Sequence, residues 1–307
     1  MAIVFFGTPD FAVPSLQALI EADEQIELVV TQPDRVKGRG HQLSAPPVKE
    51  LALKHSLRIE QPENIRNSEF YGRLAALSPE FIIVVAYGKI LPKDILDLPF
   101  RGCVNVHASL LPKFRGAAPI QWALLKGERI TGVTTMLMDE GLDTGDILLK
   151  STVDIGEDDT SAALFVKLAG LGAKTLLETI RGVRKGDVLP TPQEGEPSYA
   201  PPLKKKDGRI DWNRSAEELS FFVRGMNPWP SAVCMLGQER IKIIRAIAVI
   251  GSGVPGRIEK ASGGVLLVGT SEGLLKVEEI QPEGKKVMPA AAFLAGRKLR
   301  ERDEKFS

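Results

Sequence analysis

The sequence predicts an α/β domain followed by a smaller β domain. Its 307 residues exceed one average domain, and 43% of them are hydrophobic, which is typical of a globular protein with a sizeable core. Apolar runs alternate with helix-like stretches over the first two thirds of the chain. In the last third, short runs of alternating polarity are joined by Gly-containing turns. A stretch rich in Pro and Gly separates the two patterns.

Five apolar runs in the first part predict strands: "AIVFF", "IELVVT", "FIIVVA", "CVNVHA" and "TTMLMD". Helix-like patterns cover residues 12–22, 67–77 and 160–182. Uniformly apolar strands separated by helices indicate a mostly parallel, Rossmann-like sheet with flanking helices, and such sheets bind ligands at the carboxyl ends of their strands. The first strand leads into "FGTPDFAVPSL", which lacks the glycine-rich dinucleotide fingerprint, and no P-loop motif occurs. A dinucleotide or ATP site is therefore disfavoured.

The last third predicts an all-β domain, most simply a small OB-like barrel. Its runs, such as "SAVCMLGQERIKIIRAIAVI" and "GVLLVGTSEGLLKVEEIQPEG", are short, alternating and punctuated by glycine. We expect domains at residues 1–189 and 207–307, joined by a basic linker at 190–206.

Charge is distributed unevenly between the two parts. Residues 1–203 carry 21 Lys and Arg against 26 Asp and Glu, a net charge of −5, whereas residues 204–307 carry 19 against 13, a net charge of +6. The segment "TPQEGEPSYAPPLKKKDGR" at 191–209 has the composition of an exposed linker. A basic domain behind a basic linker suggests a polyanionic partner, and a solvated charged surface is the alternative.

Composition also narrows the cellular setting. No apolar run approaches the roughly 18 to 20 residues of a membrane helix, and "MAIVFFGTPDF" lacks the basic start of a signal peptide. We therefore expect a cytoplasmic protein without a membrane partner, and we expect it to be a monomer. The two cysteines, Cys103 and Cys234, lie far apart in apolar contexts, so we expect both to be reduced and neither to bind zinc.

Asn105 and His107 are the first candidates for a functional site. Side chains alternate along a strand, so in "CVNVH" Asn105 and His107 share one face with Cys103, while Val104 and Val106 point the other way. An amide donor beside a group that titrates near neutrality is suited to stabilising an oxyanion in acyl-type transfer. A structural histidine that closes a turn is the alternative.

An acidic stretch follows the next predicted strand. "MLMDEGLDTGDILL" at 136–149 carries Asp139, Glu140, Asp143 and Asp146. Because neighbouring strand ends meet at one edge of a parallel sheet, we expect this loop to lie against His107, where a carboxylate can orient the imidazole. An ordinary surface loop is the alternative. A metal site is disfavoured because no histidine pair or calcium-loop pattern accompanies the aspartates, and Cys103 is expected to be buried rather than nucleophilic.

Together these residues resemble the folate-dependent formyltransferases. The similarity lies in "NVHASLLPKFRGAAPIQWAL" and in "GLDTGDI", which stands at the spacing where the family carries its aspartate. The resemblance implies that Asn105, His107 and Asp143 are catalytic and that 10-formyltetrahydrofolate is the formyl donor, with no metal and no covalent enzyme intermediate. It also implies a tetrahydrofolate site lined by the "AYGKILP" loop and the turn after the strand, with these members: Ile90, Leu91, Ser109, Leu110, Leu111 and Pro112.

Further segments narrow the acceptor that the resemblance implies. "FFGTPDFAVPSL", "TQPDRVKGRGHQLSAPPVK" and "RGMNPWPSAV" resemble the branch of the family that formylates the amino group of methionyl-initiator tRNA for translation initiation. The loop at 31–50 is a basic arm suited to contacting phosphates or bases, and in the family it is implicated in recognising the acceptor end of the tRNA. The expected tRNA contacts are Arg35, Lys37, Arg39, Lys204, Lys205 and Lys206.

Two other functions stay open at this point. One is a folate-dependent formyltransferase or hydrolase acting on a small molecule, such as an amino sugar or a purine precursor, which has no need of the basic arm. The other is a tRNA-binding protein without activity, which the presence of Asn105, His107 and Asp143 disfavours.

Overall fold

The computed structural model describes residues 2–37, 42–297, 299 and 301–307. They form two compact units. The first consists of Met1–Pro119, Ile130–Asp154 and Phe165–Ala200, and the second of Ile120–Arg129, Ile155–Leu164 and Pro201–Ser307. The second unit therefore includes two short segments that precede residue 165 in the chain.

The first unit is built on a seven-stranded sheet whose order is β5-β2-β1-β6-β7-β8-β9. The first five strands in that order run parallel, and β8 and β9 are antiparallel to their neighbours. The mostly parallel Rossmann-like sheet is thus confirmed. In chain order the strands of this unit are β1 (Ile3–Gly7), β2 (Ile26–Val30), β3 (Arg35–Lys37), β4 (Gln42–Ser44), β5 (Ile59–Glu60), β6 (Phe81–Val85), β7 (Cys103–His107), β8 (Ile130–Leu137) and β9 (Ile147–Asp154), of which β3 and β4 form a separate antiparallel pair.

Among the described residues, five helices accompany these strands: α1 (Val13–Glu21), α2 (Pro47–Lys54), α3 (Ser68–Ala76), α4 (Lys93–Leu96) and α6 (Ser161–Lys185). Helix α5 (Pro119–Leu125) lies between β7 and β8 in the chain and belongs, apart from Pro119, to the second unit. The expected helices at 12–22, 67–77 and 160–182 correspond to α1, α3 and α6. The N-terminus of α3 has a local cause, because the Asn67 side chain accepts a hydrogen bond from the Glu69 backbone N–H at 2.8 Å. The other three helices have at most eight residues, which is too short for a clear helical period.

The core of the first unit lies on both faces of the parallel strands. Every residue of β1 and β6 is buried, as the uniformly apolar runs predicted. Phe6 of β1 packs edge to face against Phe70 of α3 and against Tyr87, with ring centroids 6.4 and 5.0 Å apart. Cys103 belongs to the same cluster of buried side chains.

A buried network of ion pairs joins distant parts of this unit. Glu80, just before β6, is fully buried and accepts hydrogen bonds from Arg101 at 3.0 Å and from Arg184 of α6 at 2.9 Å. Arg184 also donates to both oxygens of Glu24 at 2.7 Å. The hydrogen bonds from Glu24 and Glu80 raise the pKa of Arg184 above its ordinary value. The network therefore connects the start of β6 to the end of α6.

The second unit contains an antiparallel sheet with the order β10-β11-β14-β13-β12, and β15 pairs with β14. Its elements in chain order are α7 (Ala216–Met226), β10 (Ala232–Leu236), β11 (Glu239–Val249), β12 (Ile258–Ser262), β13 (Val265–Gly269), β14 (Leu274–Pro282), β15 (Met288–Pro289) and α8 (Ala290–Ala295). Within the described residues, β10 and β12 do not pair with each other, so no closed barrel is seen.

The expected β structure of the second domain is confirmed as an antiparallel sheet, but the domain is not all β, because α7 and α8 are helices. The sequence did contain a signal for α7. Ser215 and Glu218 form a capping box, in which the Ser215 hydroxyl accepts from the Glu218 N–H at 3.2 Å and Glu218 accepts from the Ser215 N–H at 3.0 Å. The strand-like runs that follow dominate the pattern of this region.

The last residues of the chain form backbone hydrogen bonds at both edges of the antiparallel sheet, near β10 and near β12. Ser307 and Met235 of β10 exchange two backbone hydrogen bonds at 2.8 and 2.9 Å. The N–H of Phe306 donates to the Gly256 carbonyl at 2.8 Å, and the N–H of Ile258 in β12 donates to the Glu304 carbonyl at 2.9 Å. The Phe306 ring is buried and stacks on Trp212. The C-terminal segment thus lies between β10 and the start of β12.

Seven of the ten residues from Thr191 to Ala200 are exposed, but the segment is also hydrogen-bonded to earlier parts of the chain. Thr191 and Ile147 exchange two backbone hydrogen bonds at 2.7 and 2.9 Å, and Ala200 and Arg115 are joined by another at 2.7 Å. Ala200 is fully buried. The partners lie 44 to 85 positions earlier in the chain, and local composition carries no information about contacts at that separation.

Among the described residues, no helix has both the length and the apolar character needed to cross a membrane.

We expect Glu80→Ala to lower the free energy of unfolding by about 3 to 5 kcal/mol, because it removes the buried carboxylate, leaves Arg101 without its ion-pair partner and takes one of two partners from Arg184. Urea unfolding followed by circular dichroism measures the change. Glu69→Ala is the matched control, since Glu69 pairs with Arg73 at 3.2 Å but is 80% exposed, and we expect it to cost at most about 1 kcal/mol. Equal losses in the two variants would show that the buried network is not a principal source of stability.

Candidate active site

Strand β7 presents Asn105 and His107. Asn105 lies between Val84 of β6 and Met136 of β8, and His107 lies opposite Thr134 of β8. His107 is buried and Asn105 is half-buried. Alternation along the strand puts both side chains on the same face. In the described part of the chain, no group forms a hydrogen bond with the Asn105 amide, which is therefore available to a ligand.

The His107 ring is oriented by a backbone carbonyl. Its Nε2 lies 3.0 Å from the carbonyl oxygen of Phe114. Because a carbonyl only accepts, Nε2 carries the proton, and in the neutral ring Nδ1 is then the free acceptor. Nδ1 lies 3.7 Å from Oδ2 of Asp143. The arrangement leaves Nδ1 ready to take up a proton beside a carboxylate.

Asp143 is held by a hydrogen bond to its side chain and by the conformation of its backbone. Its Oδ2 accepts a hydrogen bond from the Gly116 N–H at 2.7 Å. Its backbone has φ 52°, in the left-handed region that aspartate tolerates better than most residues. At Gly145, a Cβ would overlap the carbonyl oxygen of Leu137, so only glycine fits the return of this loop.

The loop reaches His107 by a different route from the expected one. Strand β8 is antiparallel to β7, and its last residue, Leu137, pairs with Val104 near the start of β7. The two strands therefore do not end at the same edge of the sheet. Instead, the segment after β8 folds back so that Asp143 meets His107.

Burial separates Asp143 from the other three acidic residues of the loop. Asp139, Glu140 and Asp146 are exposed, whereas Asp143 is half-buried. Asp139 closes a turn, accepting from the Gly141 N–H at 3.0 Å and from the Thr144 hydroxyl at 2.7 Å. Within the described residues, no group of three or more His, Cys, Asp or Glu is placed to hold a metal ion.

The turn after β7 is held by Thr134, which the sequence analysis did not single out. The Thr134 hydroxyl donates to the Ser109 carbonyl at 2.7 Å and accepts from the Leu111 N–H at 3.1 Å. The Ser109 hydroxyl donates to the Lys113 carbonyl at 2.6 Å. Of the residues expected to line a folate site, Ser109, Leu111, Pro112 and Leu91 are buried, Leu110 is half-buried and Ile90 is exposed.

Two further polar residues missed by sequence reasoning contact the site from the segment at 191–200. Gln193 donates to the carbonyls of Asp143 and Gly145, and the Ser198 hydroxyl accepts from the Phe114 N–H. No local motif marks either residue.

Cys103 is not placed to act as a nucleophile. It is buried, and its thiol lies 3.7 and 3.6 Å from the carbonyl oxygens of Ile95 and Leu96. Burial raises the pKa of Cys103 to about 12. Burial likewise raises the pKa of Cys234. Both side chains are therefore thiols at neutral pH.

Four of the six residues expected to contact a nucleic acid are exposed. Arg35, on β3, is exposed, and so are Lys204, Lys205 and Lys206 around the 3₁₀ turn Lys205–Gly208. Lys37 is the last residue of β3. Arg39 lies outside the described residues.

Family models match both parts of the chain. A model described as formyl transferase matches residues 1–180, and one described as the C-terminal domain of formyl transferase matches residues 202–298. The chain belongs to the formyl transferase family. Asn105, His107 and Asp143 all lie in the segment that matches the first model.

Relatives in this family are similar over almost the whole chain. The methionyl-tRNA formyltransferase of Thermodesulfovibrio yellowstonii is 56% identical, over 99% of this chain and 99% of its own. That of Pelobacter propionicus is 51% identical, over 96% of this chain and 93% of its own. Among solved structures, the sugar 3N-formyl transferase WlaRD superimposes with a TM-score of 0.67 at 19% identity, covering 93% of this chain and 99% of its own, which shows a shared fold.

We expect both cysteines of this formyl transferase to be unreactive towards Ellman's reagent at pH 8 in the folded protein. A pKa of about 12 leaves about one Cys103 thiol in ten thousand as the reactive thiolate. Unfolding in guanidinium should release two reactive thiols per chain. Rapid labelling of the folded protein, combined with inactivation, would restore Cys103 as a candidate nucleophile.

Proposed function

We propose that this chain transfers the formyl group of 10-formyltetrahydrofolate to the amino group of methionyl-initiator tRNA, the step that prepares the initiator for translation. The acceptor is inferred from the identity of 56% and 51% with methionyl-tRNA formyltransferases over nearly the full length of the chain. The similarity includes the second unit as well as the catalytic segment.

In this proposal Asn105 stabilises the oxyanion of the reaction by donating a hydrogen bond, and His107 does so once its Nδ1 has taken up the proton of the amine. The amine attacks the formyl carbon directly, so the carbonyl oxygen gains negative charge while no bond to the enzyme forms. The Asn105 amide has its N–H groups free within the described residues and lies on the same strand face as His107. A donor already aimed at the developing charge stabilises the transition state more than the ground state.

The proton moves through His107. As the new C–N bond forms, the amine loses a proton to Nδ1 of His107, the acceptor left free by the bond to Phe114. Asp143, with Oδ2 3.7 Å from Nδ1, stabilises the positive ring. When the bond between the formyl carbon and N10 of the folate breaks, that nitrogen takes up the proton. The ring returns to its neutral form, and no covalent enzyme intermediate is needed.

The tetrahydrofolate part of the donor is assigned to the turn after β7 and the loop after β6. Because the side chains of Ser109, Leu111 and Leu91 are buried, these residues contribute through their backbone and by shaping the turn. Ile90 is 76% exposed and Leu110 is half-buried, so both have apolar surface to offer the donor's ring system. Pro112 completes this set.

The tRNA is assigned to basic segments of both units. Arg35, Lys37 and Arg39 contact the acceptor end, while Lys204, Lys205 and Lys206 and the basic 207–307 region hold the phosphate backbone. We take that region to be an OB-like barrel, a proposal supported by the C-terminal segment, which hydrogen-bonds β10 at Met235 and the start of β12 at Ile258.

The remaining parts of the proposal concern the organisation of the protein. The functional division is a catalytic domain at 1–189, a linker at 190–206 and a tRNA-binding domain at 207–307. A single chain supplies Asn105, His107 and Asp143, which fits a monomer. Charged initiator tRNA is a cytoplasmic substrate, which supports our proposal that the enzyme acts in the cytoplasm.

The acceptor is tested by offering 10-formyltetrahydrofolate with charged initiator tRNA, with charged elongator tRNA, with an amino sugar nucleotide, with a purine precursor amine, or with water alone. We expect formyl transfer in the first reaction only, measured as acid-stable formylmethionine. Transfer to one of the small molecules would move the assignment to that acceptor, and no transfer in any reaction would exclude the activity.

The catalytic roles are tested by Asn105→Ala and His107→Ala. We expect each to lower kcat about 10²- to 10³-fold, because each removes a group aimed at the transition state. The matched controls are Asn64→Ala and His55→Ala, which change exposed residues and should leave kcat within about twofold. Activity of the site variants within a few-fold of the unmodified enzyme would refute these roles.

The triple variant K204Q/K205Q/K206Q tests the backbone contacts. We expect KM for tRNA to rise about tenfold. We also expect the slope of log affinity against log salt to fall by about 2, because a variant with fewer phosphate contacts releases fewer counterions when it binds. kcat at saturating tRNA should stay unchanged. The control K54Q/K150Q/K174Q removes the same charge from exposed positions of the first unit. Equal effects of the two triple variants would reduce the role of Lys204 to Lys206 to net charge alone.

A further inference from the structure

The segment Thr191–Ala200, here called the brace, contacts both loops that carry the candidate catalytic groups. One end pairs with β9 through Thr191 and Ile147. The other end runs beside the loop that follows β7, with a bridge between Tyr199 and Arg115. The brace therefore joins the loop that positions His107 to the loop that carries Asp143.

Gln193 is the contact between the brace and the Asp143 loop. Its Nε2 donates to the carbonyl oxygens of Asp143 at 2.8 Å and of Gly145 at 2.9 Å. Its Oε1 accepts from Nε and Nη2 of Arg115 at 3.2 and 2.7 Å. All the hydrogen-bonding capacity of the side chain is thus used. A neutral amide is required here, because a carboxylate has no proton to donate and an apolar chain makes none of these bonds.

These bonds act on a backbone that does not hold its conformation by itself. Asp143 has φ 52°, a left-handed conformation that costs energy even for aspartate, which tolerates it better than most residues, so contacts from outside the loop stabilise it. The two carbonyls bound by Gln193 flank Thr144 and so fix the peptide groups on either side of the turn. The direction of the Asp143 carboxylate, which meets Gly116 and His107, follows from that backbone.

Ser198 acts on the other loop in the same way. Its hydroxyl accepts from the Phe114 N–H at 2.9 Å, and its carbonyl accepts from the Arg115 N–H at 2.8 Å. Phe114 also has a positive φ, 60°, and its carbonyl is the group that receives the His107 Nε2–H. The bond from Ser198 thus fixes the residue that orients the imidazole.

We propose that the brace is part of the catalytic machinery, with Gln193 as a positioning residue for Asp143 and Ser198 as a positioning residue for the Phe114 carbonyl. The proposal rests on the catalytic roles assigned above to His107 and Asp143. Neither brace residue touches the reacting atoms. Their loss therefore lowers kcat while the KM values for tRNA and for the formyl donor stay within twofold.

The test compares Gln193→Met with Gln193→Glu in the full-length enzyme. Methionine keeps the length of the side chain and makes no hydrogen bond, while glutamate keeps the acceptor for Arg115 but cannot donate to the two carbonyls. We expect both variants to lose about tenfold in kcat, the effect of one misdirected catalytic group. Gln17→Met, which removes an amide bonded to Glu21 on α1, is the matched control and should keep kcat and melting temperature.

A double-variant cycle shows whether Gln193 acts through Asp143. In an Asp143→Ala background we expect Gln193→Met to change kcat less than twofold, because the carboxylate that it positions is gone. A full tenfold loss in that background would overturn the proposal, as would unchanged kcat in Gln193→Met or Gln193→Glu alone. Full activity of Asp143→Ala itself would instead refute the catalytic role of the carboxylate, so the two failures are distinguishable.

Ser198 gives a second test that does not depend on the folding of Gln193 variants. We expect Ser198→Ala to lower kcat several-fold and Ser198→Thr, which keeps the hydroxyl, to retain it. Equal activity of the alanine and threonine variants would remove Ser198 from the brace's function.

Discussion

The hydrogen bond from His107 Nε2–H to the Phe114 carbonyl is the interaction on which the candidate site depends. It decides which ring nitrogen carries the proton, and so leaves Nδ1 facing Asp143 as the acceptor. A hydrogen bond from the ring Nδ1–H to the Asp143 carboxylate would have had the opposite effect, because the proton would then lie on Nδ1. Because the acceptor is a backbone atom, its position depends on the left-handed conformation of Phe114, which needs support from outside its own loop.

Some features of the fold and of the site follow from the sequence pattern, and others do not. Alternation in "CVNVH" was sufficient to place Asn105 and His107 on one face, and α1, α3 and α6 follow from helical periodicity. Strand direction has no such signal. The apolar pattern of β8 is the same whether the strand runs parallel or antiparallel to β7, so the expected route of the acidic loop was wrong although its destination, near His107, agrees with the structure. The brace was read as a linker because its Pro, Gly and Glu content resembles one.

The four acidic residues of the loop cannot be distinguished from one another by the sequence pattern alone. Composition and turn signals mark the loop, but Asp139, Glu140, Asp143 and Asp146 are equivalent in charge. They differ in burial and in partners, which are set by the approach of Gly116 and Gln193 from distant parts of the chain. Only the family resemblance singled out Asp143. In the second unit, the capping box at Ser215 and Glu218 is a local signal for a helix, but the strand-like runs that follow it dominate the pattern of the region.

The uneven charge of the chain constrains how a tRNA can be held. Residues 1–203 have a net charge of −5, so their long-range field repels a polyanion from the region that contains His107. Attraction has to come from the +6 of residues 204–307, to which Lys204, Lys205 and Lys206 contribute three positive charges. Screening over about 8 Å at physiological salt limits such fields to near contacts. In the proposed function, residues 204–307 therefore supply the long-range attraction for the tRNA phosphates, and Arg35, Lys37 and Arg39 act locally on the acceptor end whose amine reaches His107.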